Sequence, residues 1–262
     1  MRIHTAPFVL AFKLGPKLFA VAGKLLKAAK VGKVGLAGAS AVTYAWLFSW
    51  EFAAVILVTL VIHEYGHVLA MKSFGIPTKG IYLIPFVGGV AVSEKGLGNR
   101  WQEQNIALAG PIFGLAQAFV IYLVYAATGH PLAAAIAGWV ALLNLFNLLP
   151  ITPLDGGRVM KSAAFSIHSG LGTAFLVLGV ALSAALLYYL KFWLIGLILV
   201  FSIFDLLSER KRNKSELEGM NLTEVLASLG VYAATIAFLV YIMIATAEVP
   251  EAALALELLR DS

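Results

Sequence analysis

The chain has 262 residues, 61% of them hydrophobic and 13% charged, with no cysteine. That balance leaves no polar stretch long enough for a separate soluble domain and marks a polytopic membrane protein. It also excludes disulfides and thiolate metal ligands, so any metal site must use His, Asp or Glu. The net charge of +5 does not point to nucleic acid, because the Lys and Arg residues lie between hydrophobic segments with no aromatic-rich basic face around them.

Residues 1–33 come first, with Lys13, Lys17, Lys24 and Lys27 spaced so that they share one helix face. This predicts a basic amphipathic helix lying on the membrane surface, and the region lacks the compact apolar core and small-residue cleavage site of a signal peptide. Residues 34–250 read as one membrane-embedded domain and 251–262 as a short tail. Apolar runs at 34–50, 51–73, 101–127, 132–149, 171–189, 192–208 and 223–247 approach the ~20 residues a bilayer core requires. The first two run together through Trp50 and Glu51, so the expectation is an all-α polytopic fold with about six to seven transmembrane helices. Between the second and third runs, residues 81–92 are apolar and partly β-branched, broken by Pro85 and Gly88-Gly89. They predict a short membrane-embedded β-hairpin, shielded by protein or lining a wet cavity, since unpaired backbone cannot face lipid.

Basic residues are distributed unevenly between the loops. One side receives the Lys-rich N-terminus, Lys79, Lys95, Arg100, Arg158, Lys161 and the Arg210-Lys211-Arg212 cluster with Lys214; the other receives Glu51, the turn at 128–131, Lys191 and Glu248 and Glu251. Lys and Arg are retained on the cytoplasmic side. The second and fourth runs therefore end at the cytoplasm, and the expected location is the cell membrane with the functional site opening to the cytoplasm.

Two motifs carry chemistry. His63-Glu64-Tyr65-Gly66-His67 has the form H-E-x-x-H inside an apolar run. Histidines four apart lie one above the other on a helix face and can bind one zinc ion, while the intervening Glu64 can accept a proton from water at the metal. Three ionisable groups this close in a membrane helix would cost several kcal/mol without a compensating role, which weighs against histidines that are merely hydrogen-bonded in the core. A third protein ligand must come from elsewhere. Asp155, in Asn147-Leu-Leu-Pro-Ile-Thr-Pro-Leu-Asp155-Gly-Gly, is the best candidate; the alternative is that it caps the helix beginning at Gly156. Zinc follows from the ligand types, although iron and cobalt accept the same geometry.

With both motifs in view, the chain resembles the site-2 protease family of intramembrane zinc metalloproteases, in a compact form with no PDZ domain between the motifs. The resemblance spans roughly residues 40–210 and includes Ala109-Gly110-Pro111, read as a site of helix kinking and close packing. It implies one zinc ion per chain on His63, His67 and Asp155, and Glu64 as catalytic base. It further implies that Asn147 holds substrate or stabilises the oxyanion, with Asn144 one turn earlier as the weaker candidate, and that the 81–92 ribbon receives an unwound substrate strand. The implied partners are the lipid bilayer and transmembrane proteins cut within or near their spans, as in regulated intramembrane proteolysis. A zinc-binding membrane transporter or sensor is the rival reading; it needs the ligands but not Glu64. His4, His130 and His168 are not assigned to zinc, and Glu94, Glu103 and Asp205 read as solvated or helix-end carboxylates.

Overall fold

Proline, glycine and short polar residues punctuate an otherwise continuous apolar sequence, and they set where its helices begin and end. The computed structural model describes residues 32–47, 50–84, 88–94, 96–191, 193–211 and 217–247. The expected surface helix over 1–33 falls almost wholly outside these residues, as do the 251–262 tail, Pro85, Arg212 and Lys214. In chain order the described elements are α1 (Lys33–Leu47), α2 (Trp50–Ser73), β1 (Thr78–Ile84), β2 (Gly88–Ser93), α3 (Arg100–Thr128), α4 (Pro131–Asn147), α5 (Asp155–Ile167), α6 (Ser169–Leu190), α7 (Trp193–Lys211) and α8 (Leu222–Ala247).

The helix boundaries follow local chemistry. Asn99 opens α3, its side-chain oxygen accepting from the Gln102 amide, and Gly129, left-handed at φ 66°, closes it. His130 and His168, unassigned in the sequence, accept from the Leu132 and Gly170 amides at the starts of α4 and α6. At α8, Asn221 accepts from the Glu224 amide at 2.9 Å while Glu224 accepts from the Asn221 amide at 2.8 Å, a reciprocal capping box.

Among the described residues α2, α3, α6 and α8 are long and apolar enough to cross a membrane, whereas α4 has 17 residues. Helix α1 has 15 residues, about 22 Å at ~1.5 Å per residue, short of the ~30 Å hydrocarbon core. Their outer faces carry exposed Val120, Leu123, Leu178, Leu182 and Phe238, a surface that suits lipid and not water. This is an integral membrane protein. Helix α2 lies at its centre, with 56% of its apolar window buried against 22% for α6.

The hairpin expected over 81–92 is present as the antiparallel pair β1–β2, in register Ile81 with Ala91 and Leu83 with Gly89. It packs against α1 and α2. Helices α3, α4 and α8 join through Ala118, Val140, Ala141, Leu148, Leu239 and Ile242. Small residues bring backbones close: a Cβ on Gly66 would overlap the Ala109 carbonyl of α3.

A buried ion network fastens α5 to α3 and α7. Arg100 donates to Glu103 at 2.8 Å and to Glu209 at 2.7 Å; Lys161 lies 2.9 Å from Glu103, 3.1 Å from Asp205 and 3.5 Å from Glu209. Ser162 also donates to Glu103, at 2.9 Å. Glu103 thus departs from the solvated reading given to it in sequence, being 4% exposed. Burial works against the Lys161 charge, but Glu103, Asp205 and Glu209 outweigh it and hold its pKa above the ordinary lysine value. Removing one partner from such a network strands the others. Lys161→Met is expected to destabilise the protein by about 3–5 kcal/mol, read as a lower thermal unfolding midpoint in detergent, whereas the exposed Lys72→Met should change it little.

Candidate metal centre

Helix α2 presents His63 and His67 one turn apart on its buried face, toward α3, α4 and the start of α5. Each imidazole has one nitrogen engaged behind it. His63 Nδ1 donates to Asn144 Oδ1 at 2.8 Å, and His67 Nδ1 donates to the Ile106 carbonyl of α3 at 2.6 Å. Asn144 is itself oriented, donating from Nδ2 to the Val140 carbonyl at 2.8 Å. Both Nε2 atoms are therefore left with a free lone pair, the tautomer that metal-binding histidines adopt.

The two Nε2 atoms and Asp155 Oδ2 form a triangle with edges of 2.9 Å (His63 to Asp155), 3.1 Å (His63 to His67) and 3.3 Å (His67 to Asp155). All three side chains are buried, and among the described residues they form a three-donor cluster able to hold a metal ion. Two N ligands and one O ligand at ~2.0–2.1 Å around a tetrahedral zinc lie about 3.3 Å apart, so the donor set fits zinc with only slight expansion. Three mutually facing acceptors also repel unless a cation lies between them.

Asp155 reaches the site because of how α5 begins. Leu154 occupies the cap position without a side-chain cap bond, and Asp155, the first helical residue, turns its carboxylate to the histidines. The capping alternative raised by the sequence is therefore not the geometry seen. The two glycines that follow are required by packing: a Cβ on Gly156 would overlap the Leu148 carbonyl, and one on Gly157 would overlap the Ile151–Thr152 peptide. Arg158 Nη1 approaches Asp155 Oδ1 at 3.9 Å.

Glu64 lies beside the triangle on the hairpin side. Gly89 leaves the space its carboxylate occupies, since a Cβ there would overlap Glu64 Cγ and lie 2.7 Å from Oε1. On α3, Gly110 does more than pack two helices: a Cβ would meet both imidazoles, 2.7 Å from His63 Nε2 and closer still to His67. Gly114 makes room for Asn144 in the same way.

The two asparagines of α4 divide differently from the sequence reading. Asn144, 1% exposed, is the one hydrogen-bonded to a candidate ligand. Asn147, the last residue of α4, is half-buried. The signal available in the sequence for Asn144 was a polar amide amid an apolar span, which must find a partner inside the protein. Asn144→Ala should lower zinc affinity by about 10–100-fold, the cost of losing an outer-shell partner of a histidine ligand, measured by competition with a chelator.

Comparison with known proteins places this geometry in context. Residues 51–138 match the model of peptidase family M50. A protein of Synechocystis sp., provisionally named a zinc metalloprotease, is 37% identical over 129 residues, covering 47% of this chain and 33% of the relative. A zinc metalloprotease of Methanocaldococcus jannaschii is 29% identical over 147 residues, covering 54% of this chain and 42% of the relative. Stage IV sporulation protein FB of Bacillus subtilis is 34% identical over 107 residues, covering 40% and 37%. The chain thus spans well under half the length of these relatives. The segment that matches the peptidase family M50 model contains His63, Glu64, His67 and Gly110.

Proposed function

We propose that this protein is an intramembrane zinc metalloprotease of the site-2 type, hydrolysing peptide bonds within or near transmembrane segments of membrane proteins. The observation that carries this reading is the buried His63–His67–Asp155 triangle with the Glu64 carboxylate beside it on a membrane helix. A site that only stored or moved zinc would need the triangle alone. When bound there, zinc supplies Lewis acidity to water and to the scissile carbonyl.

The chain's own residues do the rest. Glu64 accepts the proton of the attacking water and returns it to the leaving amine nitrogen, and so acts as base and then acid. Asn144 keeps His63 turned so that Nε2 faces the site, and Asn147 is assigned to the substrate carbonyl as it becomes an oxyanion. The hairpin's apolar strands are the surface on which an unwound substrate pairs. A substrate helix must unwind to expose a carbonyl, so Gly, Pro or Asn near the cut favours cleavage.

Six to seven of the helices cross the cell membrane in this reading, with α1 and α4 the shortest. Lys and Arg distribution supports an active site opening to the cytoplasm. In this reading the catalytic domain lies within residues 34–250.

The test is cleavage of single-span substrates by purified protein in detergent. Glu64→Gln should lose about 10²–10⁴-fold in rate while retaining zinc, measured by elemental analysis, and chelation should abolish wild-type cleavage. Metal-dependent uptake by reconstituted vesicles without cleavage would replace the protease reading with transport. Gly89→Ala should lower kcat with zinc content unchanged, because its Cβ takes the space of the Glu64 side chain.

A further inference from the structure

The third ligand sits at the end of a connection with no regular structure, residues 148–154, between α4 and α5. Within it Leu149 donates to the Phe146 carbonyl, Ile151 to Leu149 and Leu154 to Ile151, whereas among the described residues no backbone amide of the connection reaches the Leu148 or Thr152 carbonyl. Pro150 and Pro153 have no N–H to donate, and a helix C-terminus leaves its last carbonyls without intrahelical donors. Inside a membrane protein such groups must be satisfied by other parts of the chain.

Two hydroxyls from distant helices supply that need. Tyr232 of α8 donates to the Leu148 carbonyl at 2.6 Å, and Ser202 of α7 donates to the Thr152 carbonyl. Both donors lie outside the 51–138 segment that carries the family match. The bonds act on the backbone that sets Asp155. A Cβ on Gly156 would overlap the Leu148 carbonyl and one on Gly157 the Ile151–Thr152 peptide, so the carbonyl held by Tyr232, and the peptide just before the carbonyl held by Ser202, are in contact with the first turn of α5.

The Tyr232 ring also bridges the two walls of the site. It packs on Leu148 and its α4 neighbours, and on Ala107, Leu108 and Val159. Ala107 follows Ile106, whose carbonyl holds His67 Nδ1. One side chain of α8 therefore packs against the cluster that includes Ala107 and is bonded to the connection leading to Asp155.

We propose that Tyr232, with Ser202, is a positioning residue of the metal centre: through the Leu148 and Thr152 carbonyls the two hydroxyls fix the connection that presents Asp155 to His63 and His67. The inference rests on the protease reading only for its kinetic consequence; its metal-binding consequence stands apart. A hydroxyl that served the fold alone would leave the ligand geometry unchanged in whatever protein remained folded.

The experiment uses the full chain in detergent, stripped of metal and titrated with zinc against a chelator and with cobalt(II), whose visible absorption reports ligand geometry. Tyr232→Phe is expected to weaken zinc binding by about 10-fold, the low end of the cost of losing an outer-shell partner. It should alter the position or intensity of the cobalt bands and lower kcat with KM unchanged. Tyr241→Phe, which removes an exposed hydroxyl of the same helix bonded to Tyr122, should match wild type. Ser202→Ala provides the same readouts should Tyr232→Phe fail to fold. Wild-type zinc affinity and cobalt spectrum in folded Tyr232→Phe or Ser202→Ala, with or without a lower unfolding midpoint, would overturn the proposal. Failure of the protease reading would instead appear as absent cleavage by wild-type protein, while the metal data alone decide the positioning role.

Discussion

A histidine buried in a membrane helix has two ring nitrogens and no water to satisfy either, and much of this structure is arranged around that constraint at two positions. One nitrogen of each ring is held by an oxygen of a neighbouring helix, Asn144 for His63 and the Ile106 carbonyl for His67. The other nitrogens face each other and a carboxylate across a gap the size of a metal's coordination shell. The outer partners are what give the inner atoms a defined role, because they fix both the tautomer and the rotation of each ring. An isolated H-E-x-x-H helix would carry the same residues without that definition.

Close approach is the second requirement, and glycine provides it where the site is most crowded. Gly66 admits the α3 backbone, Gly110 admits both imidazoles, Gly114 admits Asn144, and Gly89 admits Glu64. These positions come from three different elements and converge on one small volume. Van der Waals packing of small residues is a main source of helix association in lipid, so the contacts that bind the helices together also make room for the polar groups. The ion network of Arg100, Glu103, Lys161, Asp205 and Glu209 acts at the middle of α5. It fixes that helix by charge pairing about two turns from Asp155, next to the apolar cluster of Ala163, Met220 and Val225.

Chemistry and support are thereby divided along the chain. The segment matching peptidase family M50 carries His63, His67, Glu64 and the glycines around them, while the later part of the chain carries Asp155, the third candidate ligand, and the hydroxyls bonded to its connection. The final helix, whose purpose composition does not state, packs along α3 and α4 and donates to the Leu148 carbonyl.

The sequence by itself determined the membrane class, the helix positions, the hairpin between the second and third runs and which residues are candidates for a metal centre, because each depends on local properties. Apolar run length sets helices, β-branching and glycine pairs set the ribbon, and a spacing of four sets two ligands on one face. Tertiary structure alone decided the relations between residues far apart in the chain. That Asp155 turns to the histidines and does not cap its helix depends on where the 148–154 connection is held, and that Asn144 and not Asn147 meets His63 depends on the rotation of α4 against α2. Glu103 read as solvated because its partners Lys161 and Ser162 are 58 and 59 residues away in the chain, a distance across which no periodicity carries information. Local pattern names the groups that need partners; only packing selects the partners they receive.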